Sequence, residues 1–245
     1  MIPKVIHYCW FGHNPLPKLA SQCIASWRQH MPGYEIIEWN EDNFDVNMTP
    51  YSRDAYAAGK YAFVSDFARF WILYKYGGIY FDTDVEALQS IDPILKQGAF
   101  MGVENQILRP TDRLRVAPGL GLACEAGMPV IGDIINMYKN TEFKIEQNGS
   151  FITVVTLVSN FLYQRGLLST NEIQNVEGLN IYPAEYFAAR SNGEMVIKRT
   201  QNSYCIHHYA MSWTPKSYQW KKRIQRHLPH WFNHTLITIK RFLLG

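Results

Sequence analysis

The chain is poor in the features that would assign it to an unusual class. Among 245 residues there are only four cysteines, Cys9, Cys23, Cys124 and Cys205. They are scattered and form no CxxC pair, so they read as reduced, buried thiols rather than a disulfide frame or a zinc knuckle. No uninterrupted apolar run reaches the roughly 20 residues that a bilayer-spanning helix needs. The opening Met1-Ile2-Pro3-Lys4-Val5 has neither the charged start nor the long apolar run of a secretory leader, so a cytoplasmic protein is expected. Internal repeats and low-complexity stretches are missing too.

Acidic residues are absent from one region. From Lys216 to the end there are seven Lys/Arg and no Asp or Glu. Seven from a total of 24 leaves 17 basic against 21 acidic residues in 1–215, a net −4. The overall +3 therefore comes from the tail, which is not the profile of a nucleic-acid binder. Residues 216–245 mix these cations with Trp231, Phe232, Leu236, Ile239 and Phe242. They read either as an amphipathic segment lying on an anionic membrane, at the cytoplasmic face of the inner membrane, or as a helix packed on the body. Two units follow: a body over 1–215 and a basic helical tail over 216–245.

The body alternates strand and helix signals. Strands are expected at Val5–Phe11, Tyr34–Trp39, Ile79–Asp82, Ala99–Glu104, Asn180–Tyr182 and Ser203–His208. Helices are expected at Leu16–His30, Ser52–Ala58, Tyr61–Tyr76, Val130–Lys139 and Thr153–Gln164. This order argues for an α/β fold with a largely parallel sheet.

The densest chemistry is Gly77-Gly78-Ile79-Tyr80-Phe81-Asp82-Thr83-Asp84. Two glycines end a helix, a short apolar strand follows, and two aspartates stand at its end. Strand alternation directs residues i and i+2 to one side, so Asp82 and Asp84 can share one point. Close carboxylates repel, and a hard divalent cation neutralises them while leaving positions for phosphate oxygens. The plainer reading is a turn with an Asp cap.

Upstream, 61–74 is apolar nearly all round except for Asp66 and Arg69, three apart and so neighbours on one face. A buried ion pair rarely repays its desolvation. It is either an internal salt bridge or the polar wall of a cleft, with Arg69 toward a phosphate or sugar and Asp66 toward a sugar hydroxyl. Trp10, at the end of the first strand, is either a core residue or a platform for a nucleobase. In Cys205-Ile206-His207-His208-Tyr209-Ala210-Met211-Ser212-Trp213, adjacent histidines on a strand point opposite ways, so one can join a metal held by the aspartates. Ser212 and Trp213 can reach phosphate oxygens and the sugar.

Taken together, Ile2-Pro3-Lys4-Val5-Ile6-His7 with Trp10-Phe11-Gly12, then Ser65-Asp66-x-x-Arg69, Gly77-Gly78-Ile79-Tyr80-x-Asp82-x-Asp84 and His207-His208-x-x-x-Ser212-Trp213 resemble the DXD-containing glycosyltransferases. That family groups bacterial capsular polysaccharide enzymes with fungal α-1,6-mannosyltransferases and, more distantly, the glucosyltransferase domains of large clostridial toxins. The resemblance implies a GT-A, Rossmann-like mixed sheet with helices on both faces. It implies a nucleotide-sugar donor, UDP-linked in preference to GDP-mannose, a Mn²⁺ or Mg²⁺ cofactor, and retention at the anomeric carbon.

The resemblance also assigns roles. Trp10 stacks on the base, while Asp66 and Arg69 contact sugar and phosphate. Tyr80 and Asp82 contact the donor, Asp84 binds the metal directly and Asp82 through water. His208 is a second protein ligand, and Ser212 and Trp213 close over the diphosphate. The acceptor is expected to be a glycan, in particular a lipid-linked intermediate of capsular or other surface polysaccharide, receiving a hexose or N-acetylhexosamine. Competing readings are an Asp-x-Asp phosphatase, disfavoured because its motif normally opens the domain, and a non-catalytic membrane- or glycan-binding module. Residues 105–200 offer no motif.

Overall fold

Two short parallel crossovers build the part of the molecule that carries the motifs. A computed structural model describes residues 1–144, 151–189 and 199–210. Strand β1 (Val5–Cys9) runs into helix α1 (Lys18–His30) and returns as β2 (Glu35–Trp39). Helices α2 (Pro50–Ala57) and α3 (Tyr61–Tyr76) then lead to β3 (Gly78–Tyr80). Strand β1 pairs in parallel with both β2 and β3. The first connection runs from β1 to β2 and the second from β2 past β1 to β3, in opposite senses along the sheet, so the usual right-handed connection puts their helices on opposite faces. Side chains show the same division. Tyr8 meets Trp27 of α1 at 5.8 Å between ring centroids, while Cys9, on the other face, lies beside Ser65 and Arg69 of α3.

Beyond β3 the sheet turns mixed. After β4 (Val85–Ala87) and the single turn α4 (Asp92–Leu95) come β5 (Phe100–Gly102), β6 (Leu122–Cys124) and helix α5 (Pro129–Lys139). Helix α6 (Val154–Tyr163), β7 (Gln174–Val176), β8 (Leu179–Tyr182), the short α7 (Ala184–Phe187) and β9 (Cys205–His207) complete the described chain. The seven-stranded order is β2-β1-β3-β6-β5-β8-β7, and β4 pairs with β9 in a separate two-stranded sheet. Strand β6 is antiparallel to both β3 and β5, β8 is parallel to β5, and β7 is antiparallel to β8. The expected largely parallel sheet is therefore parallel only in part. Strands β4, β6 and β7 were not anticipated, because three residues are too few to show a period.

Helix α3 is the central pillar. It packs on β1 and β3 on one side and against α2 and α5 on the other. All of Phe63–Phe70 is buried, as its apolar surround predicts. Phe67 and Phe70 meet Tyr138 of α5 at 6.1 and 5.9 Å, and fully burying a side chain of this size contributes about 1.5–3 kcal/mol. The helix ends at Gly77, and both Gly77 (φ 67°) and Gly78 (φ 102°) take backbone angles that L side chains rarely adopt. His7 pins this turn. Its Nε2 donates to the Gly77 carbonyl at 3.0 Å while its Nδ1 accepts from the Trp39 indole at 3.1 Å. Burial lowers the His7 pKa to about 4, so the ring stays neutral.

No helix among the described residues is long and apolar enough to cross a membrane. The basic tail 216–245, together with Ser212 and Trp213, lies outside the described residues.

Candidate active site

The two aspartates of the Asp-x-Asp motif converge, through a turn rather than a strand pleat. Strand β3 stops at Tyr80. Phe81 still donates to the His7 carbonyl at 3.2 Å, Asp82 donates to Gly119 O at 2.9 Å, and Val85 N–H closes back on Asp82 O at 3.0 Å. Residues 82–84 thus form a tight turn between β3 and β4. Because β1 and β3 run in parallel register, with His7 opposite Tyr80, their C-terminal ends lie side by side. Trp10 stands half-buried at the same end of the sheet, its indole N–H donating to Asn14 O at 2.6 Å.

Asp82 looks toward helix α3. Its Oδ1 accepts from the Tyr80 hydroxyl at 3.1 Å and lies 3.3 Å from Arg69 Nη2. The same Nη2 meets Asp66 Oδ1 at 2.8 Å, and the guanidinium lies over the Tyr80 ring at 4.8 Å. Arg69 is 3% exposed and Asp66 8%. Burial works against the Arg69 charge, but Asp82, Tyr80 and Asp66 outweigh it. For Asp66, burial wins. It raises the pKa to about 7 against the opposing pull of Arg69, and Asp82 pushes the same way. One permanent cation serving two carboxylates leaves the more buried one easiest to protonate.

Asp84 looks the other way. Strand β9 pairs antiparallel with β4, bringing Val85 opposite His207. His207 Nε2 lies 3.0 Å from Asp84 Oδ1, and Ala210 N–H donates to Asp84 Oδ2 at 2.8 Å. Burial alone would raise the Asp84 carboxyl, but the His207 charge, its hydrogen bond and the Ala210 N–H hold it at about 2. Burial likewise works to lower His207, and Asp84 outweighs it, with Asp82 and Glu104 adding to the upward shift.

Asp82, Asp84 and His207 bring one potential ligand atom each to within 4.8 Å of one another. Two carboxylates and an imidazole suit Mn²⁺ or Mg²⁺. His207 Nδ1 is buried without a hydrogen-bond partner among the described residues, an unmet demand that a bound group or water would satisfy. The residues present therefore fit a divalent cation.

His207, not His208, turns to the aspartates. The sequence allowed one of the two to do so, and the motif resemblance pointed to His208. In the structure His208 Nε2 instead meets Glu86 Oε2 at 2.8 Å, on the opposite face of the β4–β9 ribbon. Adjacent strand residues alternate, so one residue of register decides which ring faces the site.

Three participants escaped the sequence reading. Gly119 packs so tightly that an added Cβ would collide with the Asp82 carboxylate and come within 3.1 Å of Arg69 Nη1. The Pro118-Gly119-Leu120-Gly121 run was its only signal. The hydroxyls of Tyr51 and Tyr138 are buried without hydrogen-bond partners among the described residues, and both rings feel the Asp66 charge. They have no sequence signature separable from core aromatics.

Residues 17–101 match the family model described as the glycosyltransferase sugar-binding region containing the DXD motif. The chain is 32% identical over 111 residues to inositol phosphoceramide mannosyltransferase 1 of Schizosaccharomyces pombe, covering 41% of this chain and 33% of that protein. It is 30% identical over 111 residues to subversion of eukaryotic traffic protein A of Legionella pneumophila, covering 34% and 17%. It thus spans a third or less of the length of these curated relatives. Among solved structures, the PaToxG glycosyltransferase superposes with a TM-score of 0.46 at 17% identity, over 66% of this chain and 69% of that one. This superposition is loose. Over residues 17–101 the chain matches the glycosyltransferase sugar-binding region, and its Asp82-Thr83-Asp84 motif lies at the C-terminal ends of β1 and β3.

Proposed function

We propose that this chain is a metal-dependent glycosyltransferase that moves a hexose from a nucleotide-sugar donor to a glycan or lipid-linked acceptor. The observation that carries the reading is the convergence of Asp82, Asp84 and His207 beside a buried Arg69. A divalent cation held there would neutralise charge developing on the diphosphate as the sugar bond breaks. Arg69 is the fixed cation of the site, kept charged and aimed by Asp66 and Asp82. A preorganised donor of this kind is worth about 3–4 kcal/mol in the barrier. Asp66, raised to about 7, can accept from or donate to a sugar hydroxyl near neutral pH. Tyr80 and Arg69 hold the Asp82 carboxylate in place, and the Ala210 N–H with His207 does the same for Asp84.

Trp10, at the same end of the sheet, is positioned to cover the base. The mannosyltransferase name of the Schizosaccharomyces pombe relative favours mannose as the transferred sugar, and hence GDP-mannose over the UDP-sugar that the motif resemblance favours.

A nucleotide-sugar hydrolysis screen tests this reading. UDP-glucose, UDP-galactose, their N-acetylamino forms and GDP-mannose are each incubated with the protein and Mn²⁺, and again with excess EDTA. We expect one donor to be turned over only with metal. If no donor is turned over and neither UDP nor GDP binds in a metal-dependent way, the reading fails.

A further inference from the structure

A small cleft opens apart from the Asp82–Asp84–His207 cluster, none of whose residues lines it. It has a volume of about 150 Å³ and sits between the segment 113–116 and helix α6. Burial alternates along this segment: Leu114 and Val116 face inward, Arg113 and Arg115 outward. The two arginines therefore share one side. The segment is fastened to α6 by its own backbone. Leu114 N–H donates to the Tyr163 hydroxyl at 2.7 Å, and Val116 N–H donates to Ser159 Oγ at 2.8 Å. The wall that presents the arginines is thus held at two points. Asn160, on the exposed side of α6, adds a polar group to the rim.

The arginines are engaged in ways that leave donors available. The Arg113 guanidinium carbon lies 3.9 Å from the Tyr163 ring centroid, and the side chain pairs with no carboxylate among the described residues. Stacking uses the face of a guanidinium and leaves its N–H edge open. Arg115 meets Glu104 through Nε at 2.6 Å, with its terminal nitrogens directed to no acceptor among the described residues. Two guanidinium edges on one side of a fixed segment suit forked binding of an oxyanion. They do so within a body whose net charge is negative.

The cleft is coupled to the Asp-x-Asp site. From Arg115 to Gly119, which touches Asp82, is four residues, at most about 14 Å of extended chain. Glu104, the partner of Arg115, is close enough to act on His207.

We propose that this cleft binds a phosphoryl group carried by the acceptor, with Arg113 and Arg115 as its ligands, and so places an acceptor hydroxyl beside the donor sugar. The proposal builds on the transferase reading but is tested by binding alone. Full-length protein is titrated with glycerol 1-phosphate and with inorganic phosphate, and floated with vesicles of phosphatidylinositol in phosphatidylcholine. Each is repeated with Arg113→Gln and Arg115→Gln, both at exposed positions, with circular dichroism as the check that the fold is kept.

The expected result is that each variant weakens binding of a phosphoryl probe about tenfold or more, the loss of a charge-assisted contact, while Mn²⁺-dependent nucleotide binding is unchanged. A loss confined to the vesicles identifies a lipid headgroup, and one confined to glycerol 1-phosphate a soluble ester. If wild type and both variants bind every probe equally, or none binds, the proposal is overturned. The transferase reading fails separately, through loss of metal-dependent nucleotide binding in the wild type.

Discussion

The two aspartates of one short turn have opposite kinds of partner. Asp82 leans on Arg69, a cation that cannot release its proton at any working pH. Asp84 leans on His207, a cation that can. The first arrangement is permanent, so Asp82 remains tied to helix α3 whatever else binds. The second is exchangeable, since an imidazole that gives up its proton can face a metal in its place. On the proposed function, Asp84 would bind the metal directly and Asp82 would bridge donor and helix.

The sharpest way to break this comparison is to neutralise each aspartate in turn. Asp84→Asn should abolish metal-dependent donor turnover, by at least about a hundredfold, with a normal circular dichroism spectrum. Asp82→Asn should retain measurable Mn²⁺ binding by calorimetry while losing donor affinity. If Asp82→Asn loses the metal and Asp84→Asn keeps it, the roles are reversed.

A smaller effect lies in the pH dependence of the metal-free protein. The Asp84 carboxyl is held at about 2, below its ordinary 3.8. The stability it contributes is present above pH 3.8 and is lost as pH falls toward 2. His207 is raised above its ordinary 6.5, so its contribution is present below pH 6.5 and is lost as pH rises through the folded value. These are one interaction seen from its two ends, strongest between about pH 4 and 6.5. With EDTA present, His207→Gln should therefore remove stability mainly inside that window, by about 1–3 kcal/mol in urea melts. An equal loss at pH 6 and pH 9 would mean that the imidazole is not charged against Asp84.

The smallest effect is expected at the neighbouring ring. His208 and Glu86 form a partly exposed pair of the kind worth about 0–1 kcal/mol. His208→Ala should change donor turnover less than about threefold, while His207→Ala lowers it far more. Equal losses would mean that both rings serve the site.

Much of this site is legible in the sequence because its first half is local. Asp66 and Arg69 stand one helical turn apart, and Tyr80, Asp82 and Asp84 follow within a few residues, so spacing alone reveals their grouping. The helix ends around Gly77 and the strands β1 and β2 are similarly marked by glycine, proline and apolar runs. The second half escapes for a physical reason. His207, Gly119, Arg113 and Arg115 reach their places through antiparallel pairings and packing between distant segments, and three-residue strands carry too little pattern to announce those pairings. The choice between His207 and His208 depends on a single residue of register, which only the β4–β9 ladder settles.

That ladder has a consequence for how the protein is made. Glu86 and His208, bonded across it, are 122 residues apart. Joining segments so distant carries a loop-closure cost that local contacts avoid. The β2-β1-β3 core and its helices can assemble while the chain is still being synthesised, because all their residues precede 81. Asp84 meanwhile has no imidazole beside it and β4 has an open edge until β9 has emerged. The Asp82–Asp84–His207 cluster is thus completed late, and a product truncated before residue 205 would retain the Asp-x-Asp turn while lacking the strand that completes it.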